Sequence, residues 1–327
     1  VATTGDDNTA VGANALGATT TASDNTAVGS YAGAALTTGT GNVAVGYTAL
    51  DAATTANNNT AVGFSALTSS TTGGANVAVG KDALVASTTG VNNVAVGVDA
   101  MQAITTGQQN VAVGALALDA ATTADNNTAI GYSVLGANTT GTENVGVGFN
   151  TLVANTTASH ATAVGFKALD ANVTGSENTA VGANALSTTI TGGYNTAVGS
   201  GSLAVNAAAD NTAVGMASLK ANTTGTRNTG LGGAALAVNT TGSDNVAVGY
   251  QALDANTTAS NNVAVGKGAL TANTTGASNT AVGYTAGDVI TTGQSNVCLG
   301  YATDASASGG NNQIVIGTSI AGTADDV

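Results

Sequence analysis

Along this chain the apolar residues fall on a fixed beat. A β-branched residue, a small residue, a second branched residue and a glycine recur as [T/V]-A-V-G behind an asparagine, and the next such core comes 17 residues later. The cores begin at Asn8, Asn25, Asn42, Asn59 and Asn76 and run in step to Asn296 and Gln313. They make 19 repeats with one slip, a 16-residue step between Asn195 and Asn211. So strict a period predicts stacked coils, each burying its apolar side only against its neighbours. The expected fold is all-β, a parallel β-solenoid (β-roll) of 17-residue coils over residues 1–317, with 318–327 a terminal segment leading out of it. At ~4.8 Å per coil such an array extends roughly 90 Å.

Counted from its asparagine, the repeat reads N-[T/V]-A-V-G-x-x-A-L-x-A-N-T-T-G-x-x. Residues two apart share one face of a strand, so the branched side chains at positions 2 and 4 are expected to fill the coil interior. Position 3 between them is Ala or Gly in 17 repeats, Cys298 and Val315 excepted, and never the Lys, Glu, Ser or Gln that a solvated strand accepts. Both strand faces therefore read as covered, as in sheets packed on two sides. The stripe Ala10, Ala27, Ala44, Ala61 and Ala78 is expected to press against a second copy of the chain.

Position 5 is glycine in every repeat, beginning Gly12, Gly29, Gly46, Gly63 and Gly80. A corner with positive φ or a very close backbone approach demands that. The asparagine at position 1 is replaced only at Ala161 and Gln313, which predicts amides bonded coil to coil in a ladder. The leucine of the Ala-Leu pair at positions 8 and 9 is expected in the core. Where Gly33 and Gly287 replace it, Leu36 and Ile290 appear three places later. Val173 and Ile190 at position 13 point to an inward side chain there. Position 14 and the asparagines at position 12 (Asn138, Asn155, Asn222, Asn256) then lie outside, on a second strand across positions 11–14.

Composition narrows the function. Charged residues are 7% of the chain and the net charge is −13, with five Lys/Arg scattered along it, too few to neutralise phosphates and so against nucleic acid. One cysteine, Cys298, excludes an intrachain disulfide framework. No run of about 18 apolar residues offers a membrane span, and no charged-then-apolar leader opens at Val1.

The core N-[TV]-A-[VI]-G followed by x-x-A resembles the head repeat of the YadA-like trimeric autotransporter adhesins. It is also similar to the N-T-A-V-G-Y-x-A-L-x-x-N-T-T-G arrays of phage and bacterial tail-fibre-like proteins. The likeness covers about Asn8 to Gly317, with Asn245 to Ala259 (NVAVGYQALDANTTA) a close example. It implies a left-handed β-roll, three chains side by side and the small residue turned toward the trimer. The repeat here is longer than that family's, and no neck, coiled-coil stalk or anchor barrel is expected within these residues.

Catalytic chemistry is hard to assemble from these residues. With His160 the one histidine and Cys298 the one cysteine, no Ser-His-Asp or Cys-His set is expected. The acids fall mostly at position 10 (Asp51, Asp119, Asp170, Asp254, Asp288) and position 17 (Asp7, Asp24, Glu143, Glu177, Asp244), spread rather than gathered. No calcium-solenoid pattern occurs; no metal, no cofactor and no enzymatic activity are expected. Of ten aromatics, eight occupy position 6: Tyr47, Phe64, Tyr132, Phe149, Phe166, Tyr250, Tyr284 and Tyr301. They read either as a contact stripe for a glycan or cell-surface receptor, or as rings that cover the invariant glycine of an adjacent coil or seal a chain-chain seam. The expectation is an extracellular structural fibre, on a cell surface or virion: a homotrimer, stacking end to end in a filament as a further possibility, with attachment along its repeated surface. The alternative is an ice-binding solenoid that uses the Thr columns.

Overall fold

The computed structural model describes residues 4–188 and 191–322. Its residues form two compact units, Val1–Ala161 and Thr162–Val327. Each is a parallel β-solenoid with about 17 residues per turn, and among the described residues there is no helix. The first unit runs from β1 (Thr9–Val11) and β2 (Thr26–Val28) through β5 (Val77–Val79) to β9 (Val145–Val147). The second runs from β10 (Thr162–Val164) to β19 (Ile314–Ile316). Every strand is three residues long and covers positions 2–4. Within each unit successive strands pair in parallel with no stagger, as in Ala61 opposite Ala78 and Ala247 opposite Ala264.

The coils bond to one another all the way round. Besides the strand ladder, the position 9 N–H donates to the position 8 carbonyl of the next coil, as in Leu50 to Ala66 at 3.0 Å. The position 17 N–H donates back to position 16 of the coil before, as in Asp24 to Asp6 at 3.1 Å. Sharp corners make this possible. Position 5 has φ between +128° and +156°, and a methyl placed on Gly63 would sit 2.6 Å from the Gly80 carbonyl carbon and closer still to its oxygen. Both reasons for a glycine hold there at once. Positions 7, 9 and 17 adopt the left-handed conformation in almost every coil, including leucines such as Leu84 at φ 53°. That conformation is uncommon outside Gly, Asn and Asp. At position 9 it aims the side chain at the core, where Leu50, Leu67 and Leu84 are wholly buried.

Three expectations need correction. The strand faces are the reverse of the reading: alanine at position 3 points into the coil, whereas positions 2 and 4 are half-exposed or exposed. Gly146 and Gly230 show where position 3 looks, since a methyl on them would meet the Val134 Cγ1 and the Ser218 Oγ at 2.5 Å. There is room inside for a methyl and little more. Secondly, positions 11–14 form no second strand. The N–H groups of Thr20 and Thr21 and the hydroxyl of Thr20 all donate to one carbonyl, that of Thr37, at 3.0–3.2 Å. In a strand consecutive N–H groups point opposite ways; here they converge. Position 12 is the buried one and position 13 is half-exposed, Val173 included, while Ile190 lies outside the described residues. Thirdly, residues 318–322 do not leave the coil. Ser319 and Gly322 donate to the Tyr301 and Asp304 carbonyls, and Ala321 bridges Asp304 in parallel.

The 16-residue step is absorbed where nothing is buried. Asn195 still reaches the Ala208 carbonyl at 2.8 Å, and Asn211 still donates its N–H to Asn195 Oδ1 at 3.0 Å. Both interior anchors keep register, so the missing residue is one of the two between positions 12 and 15: Asn206 reaches the Ala208 carbonyl two residues on, where Asn239 reaches Gly242 three on.

Candidate functional site

Inside each coil, asparagine does the closing. The Asn76 N–H and Nδ2 both donate to Asn59 Oδ1, at 3.0 and 3.2 Å. Its Nδ2 also donates 2.8 Å to the Gly90 carbonyl, 14 residues ahead, and its Oδ1 accepts the Asn93 N–H at 2.9 Å. The same pattern joins Asn8, Asn25, Asn42 and Asn59. At Ala161 the N–H still donates to Asn144 Oδ1, at 2.9 Å. A second ladder stands at position 12, where the reading had placed solvated side chains. Asn239 Nδ2 donates to Asn222 Oδ1 at 2.9 Å and Asn256 Nδ2 to Asn239 Oδ1 at 2.8 Å. The two ladders meet on one carbonyl per coil: Gly242 accepts from Asn239 at 3.0 Å and from Asn228 at 2.8 Å. Where Ile290 takes over position 12, the column stops, and Asn273 Oδ1 is left buried with no hydrogen bond. The signal for this ladder was in the sequence, since Leu36 and Ile290 mark position 12 as inward. The burial of Asn138, Asn155, Asn222 and Asn256 also closes their Asn-x-Thr triplets to glycosylation in the folded chain.

The outside of the strands carries no such polar work. Ala27, Ala44, Ala61 and Ala78 are covered by their own chain, so they cannot be the stripe that meets another copy; Ala10, in the first described row, is exposed. The physical cause is room: the position 9 leucine occupies the coil, and only a methyl fits above it. What faces out is a pair of columns of Thr, Val, Ile and Leu at positions 2 and 4.

One glycine further on are the position 6 aromatics, all exposed. Tyr47 stacks on Phe64 with centroids 5.4 Å apart, Tyr132 on Phe149 at 5.4 Å and Tyr284 on Tyr301 at 5.3 Å. Phe166 has the Lys167 ammonium over its ring, and Tyr250 lies 3.4 Å from the point a methyl on Gly233 would reach. The rings thus contact position 6 of the adjacent coil rather than the corner glycine.

The titratable groups remain apart. His160 meets Glu143 at 3.1 Å and Arg227 grips Asp244 through two bonds of 2.6 and 2.9 Å, all on the surface. Partial burial pushes the carboxyls of Asp51, Asp119 and Asp170 above the ordinary range. Burial, helped by the charge of Asp304, pushes the Cys298 thiol up to about 11. Such a thiol is a filler rather than a nucleophile. Among the described residues no three His, Cys, Asp or Glu gather as a metal site, and no helix is long and apolar enough to cross a membrane. The threonines of position 13 give their hydroxyl protons to carbonyls of the next coil, as Thr88 does to Thr105 at 3.2 Å. Neither the family models nor the curated proteins compared with this chain include a match.

Proposed function

We propose that this chain is a structural, surface-exposed fibre subunit outside the cell, on a cell surface or virion. It acts as a homotrimer whose repeated surface serves attachment, and it is not an enzyme. One observation carries the reading. In coil after coil the buried asparagines close the coil and bond the next one, which leaves the same outer surface presented again and again. A molecule built so offers extension and repetition rather than a reaction centre.

The stacked aromatics are the places where attachment to a glycan or another cell-surface receptor has most to hold. Ice binding through the Thr columns is the alternative, and a thermal-hysteresis assay separates the two readings. Native mass tests the fibre. Light scattering on the purified chain is expected to give three times 30.7 kDa, or longer assemblies, across micromolar concentrations. A species that stays at 30.7 kDa would contradict it.

A further inference from the structure

We infer that the strip formed by positions 2 and 4 is the seam at which copies of this chain pack, with the position 6 rings along its border. The inference rests on the fibre reading and assigns the contact to a face opposite to the one the sequence suggested. Two outward positions in each of 19 rows make 38, and all 38 are Thr, Val, Ile or Leu. Solvated sheet faces and edges are ordinarily protected by Lys, Glu or other charges, and this one carries none. Yet in the single chain it is open: Val113 is 36% exposed, Val181 37% and Leu231 42%.

Size agrees with the same conclusion. The nine unstaggered rows of the first unit, ~4.8 Å apart, make a strip roughly 40 Å long and about 10 Å wide. That is about 400 Å², already in the range of the largest apolar patch on an ordinary monomer.

Charge identifies the occupant as another copy. The chain has net charge −13, and among the described residues its acids stand at positions 7, 10, 16 and 17, with Asp304 at position 9, all off the strip. Two copies brought together there would set like charges against each other. On the strip they meet none, and equal rows at equal spacing let branched side chains of one copy seat between those of the next. A copy is the partner that supplies this match at every row.

Disulfide trapping tests the assignment. In a Cys298→Ala chain, cysteine is placed at Val79 on the strip, and separately at Thr72, an exposed position 14 away from it. Under mild oxidation Val79→Cys is expected to give a covalent dimer as the main product and Thr72→Cys almost none. Val113→Cys repeats the strip test should Val79→Cys fail to fold. A multimeric chain that links at Thr72, or at neither strip position, overturns the seam while leaving the fibre standing. A chain monomeric at every concentration overturns both.

Discussion

Gly63→Ala is expected to cost about 3 kcal/mol or more, combining a φ of +142° that disfavours any Cβ with a methyl driven into the Gly80 carbonyl. The obstacle is backbone on both sides, so no rotamer change relieves it, and the next coil must shift or lose its register. A thermal melt followed by circular dichroism measures the loss. Gly268→Ala is the companion measurement. It too has positive φ, +67°, but its methyl would meet only the Thr285 Cγ2 at 3.4 Å. Ala217 and Ala234 already adopt this conformation at the same position of the repeat. That change is expected to cost about 1 kcal/mol, the ordinary penalty of the left-handed region. Equal losses at the two sites would mean that corner crowding is not what fixes position 5.

Asn76→Ala is expected to cost about 4 kcal/mol. The loss does not come from the amide's own bonds alone. Removal strands the Gly90 carbonyl and the Asn93 N–H, each buried and each costing about 1–3 kcal/mol once unpaired. Asn57→Ala provides the contrast. Asn57 accepts the Thr40 N–H at 2.7 Å, but on the surface, where water replaces it, and the expected cost is below about 1 kcal/mol. Denaturant unfolding of the two variants gives the comparison. A small loss at Asn76 would show that the ladder decorates a coil held by its backbone.

Much of the coil was legible because single positions bear single constraints. The glycine at position 5 admits one residue type, and the asparagine at position 1 and the leucine at position 9 are rarely replaced, so each type names its reason. Parity was not legible in that way. Size alone suggested that Val and Thr belong inside and Ala at a close contact. But a three-residue strand sends only one side chain inward, and Leu84 from the far wall leaves space for a methyl. A clue was present: the glycines at position 3, Gly146 and Gly230, follow coils with Val134 and Ser218 at position 8 instead of alanine. At those two places the larger side chain takes the room of the methyl, although Thr151 and Ser202 leave Ala163 and Ala213 in place. The left-handed leucines could not have been read, since leucine advertises no such conformation; only position 17, rich in Asn and Asp, did. The stretch 11–14 misled because Thr-Thr has strand composition, whereas its N–H groups converge on one carbonyl.

The face that a strand turns inward underlies both the fold and the proposed seam, and one pair of variants tests it. Far-UV circular dichroism of Ala78→Lys and Val79→Lys should show the first unable to form the β-solenoid, because the ammonium would enter a sealed core. The second should retain the β-solenoid signal, its ammonium lying outside the coil, but should lose the assembly of copies, because the charge falls on the seam. An Ala78→Lys chain that folds as well as the parent would contradict the account.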